Sequence, residues 1–361
     1  MLKVGVIGLG LIGGSLAKAL KLKVGADVVA FNRSESSLIE AFNENIISEY
    51  STSDLKIFSD CDYIFICTPV DRITGYVDKL LPYIKTDCVI TDGGSTKGSI
   101  CREMQKYQGL YFIGGHPMAG SEKTGYSAAK EYLFENAYYV LSPSDNVPKN
   151  KVDEFANILK KIGAIPVVID ADYHDHTVAA ISHIPHIVAS SLVNMVKKLD
   201  GKEGYMHSLA AGGFKDITRI ASGSPEMWNG ICKENKKEII SVIKSFKGVI
   251  EQFEKCLVDD DEKEIYSFLE SARDYRNSFL DRNKSVIPKT YDIFLNVHDK
   301  PGIIATISTH LSVNNINIKN IGVINNREFE NGILQISLEN EIEKEKSVKL
   351  LKELNFEIVT R

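Results

Sequence analysis

The sequence predicts three successive fold units: a mainly parallel α/β domain over residues 1–170, an all-helical domain over 171–286 and a small βαββαβ domain over 290–361. Three observations predict them. Up to about residue 170, short apolar runs alternate with stretches at helical spacing, the pattern of a parallel sheet covered by helices. Beyond Asp170 the apolar period becomes helical throughout. After Pro288, strand-like and helical patterns return in an order that makes a small sheet with two helices on one face. The length agrees, since 361 residues at about 150 per domain gives two or three domains.

The first unit has strand patterns at 2–7, 27–31, 63–67, 88–91, 111–114, 138–141 and 165–169, with helical patterns at 11–20, 73–84 and 152–162 between them. In the second unit, 172–199 reads as a helix that Pro185 should kink or interrupt. Residues 231–257 read as one long helix. Ile239, Ile240, Ile243, Phe246, Val249, Ile250, Phe253 and Leu257 lie on its apolar stripe, which wants a partner surface and predicts a homodimer. The third unit reads as strands at 292–297, 317–324, 332–338 and 356–359, with helices at 302–311 and 343–354.

Composition narrows the function. Hydrophobic residues at 43% and charged residues at 25% describe a globular protein. With 43 basic and 48 acidic residues the net charge is −5, which disfavours a nucleic-acid partner. An anionic small molecule stays open, because a site needs only local positive charge. The six cysteines form no CxxC pair and read as buried thiols in a reducing compartment. The apolar N-terminus has no basic leader and is broken by glycines, so it is no signal peptide. No uninterrupted apolar stretch reaches membrane-spanning length. No membrane partner and a cytoplasmic location are expected.

The first strand runs into Gly8-Leu9-Gly10-Leu11-Ile12-Gly13-Gly14, which opens a helix. Gly8 permits the tight turn, Gly10 lets a pyrophosphate approach the backbone, and Gly13 permits close helix–strand packing. The helix N-terminus offers free N–H groups to phosphate oxygens. In this context the loop predicts a Rossmann-type domain holding NAD or NADP. The second strand ends in Phe31-Asn32-Arg33-Ser34. An NAD site usually has an acid there for the ribose hydroxyls, whereas Arg33 and Ser34 suit a 2′-phosphate, so NADP is modestly favoured. The candidate cofactor set is Gly8, Gly10, Leu11, Ile12, Gly13, Asn32, Arg33, Ser34, Thr68 and Pro69.

Polar clusters follow two later strands. Ser95 lies in Asp92-Gly93-Gly94-Ser95-Thr96-Lys97, and His116 in Gly115-His116-Pro117. A histidine in a glycine-flanked loop beyond a strand can accept a proton near neutral pH. Ser95 can orient His116 or the nicotinamide, or simply cap a helix over 96–104. Lys215 and Arg219, four apart, point the same way and suit either a carboxylate or a solvated face. His183 and His186 share a helix face if Pro185 does not disrupt it. His174, His176, His183 and His186 cluster, yet they match no metal framework, and no metal is expected.

These segments together resemble the prephenate dehydrogenase family of tyrosine biosynthesis. The resemblance spans essentially the whole chain and rests on GLGLIGGSLA from Gly8, TDGGSTKG from Thr91, GGHPMAGSE from Gly114, ISHIPH from Ile181 and FKDITRIA from Phe214. The tail resembles an ACT domain, with Asp299-Lys300-Pro301-Gly302 at its first strand–helix turn. The resemblance implies oxidative decarboxylation of prephenate to 4-hydroxyphenylpyruvate with hydride transfer to NAD(P)+. It implies His116 as hydrogen-bond acceptor or general base for the ring hydroxyl, with Ser95 helping to place His116, the nicotinamide and the substrate. It implies Arg219, Lys215, His186 and Ser182 around the substrate, with His183 structural. It also implies a dimer through the helical domain and an amino-acid effector, tyrosine, at the tail. Arogenate dehydrogenase is the near alternative. A hydroxyacid-type dehydrogenase leaves GGHPMAG and the tail unexplained. A non-catalytic amino-acid sensor would be expected to have lost His116 or Arg219.

Overall fold

Eight strands form the first sheet of the computed structural model, which describes residues 1–120, 123–279, 291–298, 300–324 and 331–359. They are β1 (Lys3–Ile7), β2 (Asp27–Phe31), β3 (Glu49–Ser51), β4 (Tyr63–Ile66), β5 (Val89–Asp92), β6 (Tyr111–Pro117), β7 (Tyr138–Pro143) and β8 (Ile165–Val168). Their spatial order is β3-β2-β1-β4-β5-β6-β7-β8. Neighbours are parallel except β6 and β7. The order reverses between β1 and β4, so the crevice beyond their carboxyl ends is where this topology receives a ligand.

The sheet is buried on both faces, which is why its strands read as nearly unbroken apolar runs. Phe65 packs into one core with Val4, Val6 and Leu16, while its neighbours Ile64 and Ile66 turn to the other with Ile7, Phe58 and Phe112. Strand β3 escaped the sequence reading: it is three residues long, lies at the sheet edge and has no buried position. The strand expected at 111–114 runs on to Pro117, so His116 lies in the strand and not in a loop beyond it. Antiparallel pairing with β7 extends it, with His116 opposite Val140.

Residues Ala171–Leu199 form one continuous helical path. Pro185 does not end it. A π-helical turn at Ala179–His183 precedes Ile184–Leu199, and Pro185 occupies that helix's first turn, where its missing N–H is tolerated. By length and composition this is the one helix among the described residues apolar enough to cross a membrane. It nevertheless buries His174, Asp175, His183 and His186 inside the protein.

The single helix expected over 231–257 is two helices, Pro225–Glu234 and Lys236–Val258. Asn235 separates them. Its buried side chain donates to the Asp175 carbonyl at 2.7 Å and meets His183 Nδ1 at 3.2 Å. Of the stripe, Ile239 is buried with Ala179 and Ile184, while Ile240, Phe246, Val249, Ile250 and Leu257 stay exposed.

The described chain divides into two compact units, Met1–Gln252 and Phe253–Arg361. The second unit contains a four-stranded antiparallel sheet of β9 (Tyr291–His298), β10 (Ile318–Ile324), β11 (Asn331–Leu338) and β12 (Glu357–Val359), in the order β10-β11-β9-β12. Helices Ile303–Val313 and Glu341–Glu353 supply Ile307, Leu311 and Leu351 to a core shared with Leu295, Leu334 and Ile336. The break expected around Pro288, Asp299 of the first turn, and Ser121 and Glu122 of the GGHPMAGSE block lie outside the described residues.

Candidate active site

The carboxyl edge of the first sheet brings together the ends of four adjacent strands. Gly8 follows β1, Thr68 follows β4, Ser95 follows β5, and His116 lies near the end of β6. Gly8 turns the chain with a left-handed φ of 95°, where a side chain would be strained. A Cβ at Gly13 would stand 2.0 Å from the Gly8 carbonyl, so the helix Leu11–Ala19 can sit this close only without one. A Cβ at Gly10 would instead point into open space. Gly10 is the N-cap of that helix and supplies no capping side chain, so the terminal N–H groups are free for an anion.

A cavity of about 470 Å³ opens here. Gly8, Gly10, Asn32, Arg33, Ser34, Thr68 and Pro69 line it, whereas Leu11, Ile12 and Gly13 do not. Ile12 packs against the core and stands 3.3 Å from where a Gly93 Cβ would be. Thr68 Oγ1 is buried without a hydrogen bond among the described residues, a polar atom left for a guest. Asn32 donates to Ser37 Oγ at 2.6 Å and to the Ser34 carbonyl at 3.3 Å, which fixes the loop after β2. Arg72, Tyr76 and Gly125–Ser127 also line the cavity, and sequence reasoning missed them. They come from segments with no nucleotide-binding signature, so only the fold reveals them. The residues present fit a dinucleotide.

The second feature is built on buried charge. Asp92 and Lys97 are fully buried and ion-paired. Asp92 also accepts from the Gly94 amide at 2.8 Å and the Gly115 amide at 3.0 Å, which ties β5 to the strand bearing His116. A Cβ at Gly115 would stand 2.5 Å from the Asp92 carbonyl, so glycine is required for this approach. Ser95 does not cap a helix over 96–104. The helix is Gly98–Met104, and the Asp175 carboxylate covers its start by accepting from the Lys97 and Gly98 amides at 2.7 and 2.8 Å. Ser95 is half-buried and has no hydrogen bond to His116 among the described residues.

His116 Nδ1 meets His174 Nε2 at 2.8 Å, and His174 Nδ1 meets Asp175 Oδ1 at 2.9 Å. Burial first, then the neighbouring His174, Lys97 and His183, push the His116 imidazole well below its ordinary pKa. It is therefore neutral at cellular pH. Burial raises the Asp175 carboxyl, but its hydrogen bonds from His174, Lys97 and Gly98 outweigh that and leave it below the usual carboxylate value.

The histidine cluster read from the sequence splits apart. His174 turns to His116, His176 to Glu238 at 2.9 Å, and His183 to Asn235. His186 stacks on Trp228 at 3.6 Å, with its Nε2 buried and unpartnered among the described residues. Burial lowers the pKa of His183 to about 4 and that of His186 in the same direction. Ser182 is half-buried in the π-helical turn. Lys215 belongs to the helix Gly212–Thr218 and Arg219 to the 3₁₀ turn that follows. Both are exposed, and neither has an ion-pair partner among the described residues. His174, Asp175, Lys97, Trp228 and Asn235 were not read as site residues. The acid beside His174 and the charged pair inside the TDGGSTKG block were the available signals.

Residues 16–168 match the family model for the nucleotide-binding domain of prephenate dehydrogenase, and residues 170–271 match that for its dimerization domain. The chain is 36% identical over 347 residues to a prephenate dehydrogenase of Bacillus subtilis, covering 94% of this chain and 93% of that one. Among solved structures, prephenate dehydrogenase from A. aeolicus in complex with hydroxyphenyl propionate and NAD+ superposes with a TM-score of 0.73 at 29% identity, covering 77% of this chain and 98% of that one. Synechocystis arogenate dehydrogenase superposes with a TM-score of 0.70 at 29% identity, covering 77% of this chain and all of that one. With sheet order, glycine loop and both family models in agreement along one chain, it belongs to the prephenate dehydrogenase family.

Proposed function

We infer that this chain is an NAD(P)-dependent oxidoreductase that converts prephenate to 4-hydroxyphenylpyruvate and carbon dioxide in tyrosine biosynthesis. The observation that carries the reading is His116. It is a neutral, half-buried imidazole at the carboxyl edge of the sheet, on β6, two strands beyond β4, whose end lines the dinucleotide cavity. A neutral ring nitrogen there accepts the hydrogen bond of the substrate's ring hydroxyl and draws off its proton as the carbonyl forms. When bound, NAD(P)+ supplies the hydride acceptor. Loss of the ring carboxylate as carbon dioxide then aromatises the ring.

Ser95 lies close in the chain to the buried pair and is assigned to placing His116, substrate and nicotinamide. Arg219, supported by Lys215, receives a substrate carboxylate. His186 and Ser182 face the substrate side chain. Gly8, Gly10, Leu11, Ile12 and Gly13 present the pyrophosphate site, with Thr68 and Pro69 opposite. Asn32, Arg33 and Ser34 receive the adenosine ribose, and the cation favours NADP. The domain division is 1–170, 171–286 and 290–361. The helical part dimerises through the apolar face beyond Ile239. The tail is a ferredoxin-like ACT domain that binds tyrosine as effector; its strand order and two helices support that reading. The protein works in the cytoplasm, without nucleic acid, membrane or bound metal.

A steady-state assay crossing prephenate and arogenate with NAD+ and NADP+ tests this directly. Turnover of prephenate is expected, with higher kcat/KM for NADP+. Arg33→Ala should lower that preference about tenfold, the scale of one charge-assisted contact. Turnover of arogenate alone would replace the substrate assignment. No turnover of either would leave the amino-acid sensor. Removing 289–361 should abolish or weaken inhibition by tyrosine, and undiminished inhibition would move the effector site elsewhere.

A further inference from the structure

We propose that His174 and Asp175 are positioning residues that fix the tautomer of His116, forming a carboxylate–imidazole–imidazole relay that leaves His116 Nε2 as the hydrogen-bond acceptor. The proposal rests on the assignment of His116 as the group that receives the substrate hydroxyl.

The argument is one of donors and acceptors. Asp175 is ionised and buried, and an ionised carboxylate only accepts. Its Oδ1 lies 2.9 Å from His174 Nδ1, so that nitrogen carries the proton. The relay takes His174 in its neutral form, with one N–H, so its Nε2 is a lone pair. That lone pair lies 2.8 Å from His116 Nδ1, which must therefore be the protonated nitrogen of its own ring. His116 Nε2 is then unprotonated, and no described residue donates to it. Reversing either proton would oppose two N–H groups or two lone pairs across one of these contacts.

Burial favours the neutral form of the His116 ring. His174 is 1% exposed, and the Lys97 cation is fully buried nearby. A positive His116 ring would face Lys97 and lose its hydration. The relay therefore holds a neutral acceptor ready. It also offers an outlet: as a proton arrives at His116 Nε2, the Nδ1 proton can shift along its hydrogen bond to His174 and bring the charge closer to Asp175. The proton returns by the same contact when the product hydroxyl re-forms, so none is consumed.

The same carboxylate does a second task. Asp175 binds the Lys97 and Gly98 amides, and Lys97 binds Asp92, whose other oxygen holds the Gly115 amide next to His116. The helix Ala171–Val178 thus fixes the acceptor ring through its nitrogen and, by way of Asp175, the loop that positions the strand carrying it. A purely structural role for His174 would need neither a tautomer nor a direct contact with His116.

Three variants and one spectrum test this in the full-length protein. In the wild type, the ¹⁵N spectrum of His116 should show a protonated Nδ1 and an unprotonated Nε2. His174→Phe should lose that tautomer preference and cut kcat on the order of a hundredfold, with cofactor affinity little changed. His174→Gln, whose amide oxygen can still accept from His116 Nδ1, should recover about tenfold of that loss, since it restores one hydrogen bond to the developing charge. His116→Asn separates the two assignments: near-normal turnover in that variant would remove His116, and the relay with it. Inactivity of His116→Asn alongside kcat within about threefold of wild type in His174→Phe would overturn the relay alone. An Nε2-protonated His116 in the wild-type spectrum would overturn it without any variant, including the case where His174→Phe fails to fold.

Discussion

His116 and Arg219 stand in opposite physical environments. The His116 ring is held by His174, its strand is anchored through Asp92, and both attachments are buried. Arg219 sits on an exposed turn with no ion-pair partner among the described residues. The first group has already met the cost of being ordered when the chain folds. The second meets it only when an anion arrives. The contrast suggests a division of labour in which the proton-handling group is preorganised and the anion-holding group is recruited. Substitutions on the two sides should therefore fail in different ways.

The largest effect is expected at His116. His116→Asn should reduce kcat by on the order of 10²–10⁴-fold, the usual contribution of a general base, with cofactor Kd nearly unchanged. The pH profile carries the same information. A pKa held well below the ordinary histidine value means that the neutral acceptor persists as pH falls through 6.5. kcat/KM should hold level there and decline only at distinctly lower pH. A decline centred at or above 6.5 would mean that the ring does not stay neutral in the surroundings that the structure gives it.

Next in size is the buried pair that supports this strand. Lys97→Met strands the Asp92 carboxylate without its cation, and breaking such a pair by one partner costs about 3–5 kcal/mol of stability. Denaturant unfolding should show that loss. Unchanged stability would mean that the Gly94 and Gly115 amides alone compensate the charge. This experiment tests the preorganised half without touching an atom assigned to the substrate.

Legibility in the sequence follows the same divide between local and long-range interactions. The glycine loop could be read because strand, turn and helix are consecutive, and Gly8 and Gly13 each have a local geometric reason. The strands of the first sheet were legible because burial on both faces leaves unbroken apolar runs; β3, short and at the edge, carries no such mark. The helix break at Asn235 was not legible, because its partners Asp175 and His183 are 60 and 52 residues away. The contact between His174 and His116 spans 58 residues, and no spacing rule connects them. Ser95 was given a helix-capping role that a distant carboxylate fills. What sequence reasoning lost were polar contacts between segments, since apolar burial leaves a periodic trace and a single hydrogen bond leaves none.

Arg219→Ala should have the smallest effect on the fold and a selective one on binding. Its side chain is exposed and has no partner to strand, so stability should change by no more than about 0.5 kcal/mol. A charge-assisted contact to a carboxylate is nevertheless worth roughly a 10- to 100-fold change in affinity. KM for prephenate should rise on that scale while kcat stays within a few-fold of wild type. An unchanged KM would deny Arg219 its carboxylate. A large loss of stability would contradict the recruited character assigned to this side. A fall in kcat with KM constant would show that the guanidinium interacts only with the transition state, making it as preorganised in function as His116 and erasing the distinction between the two regions.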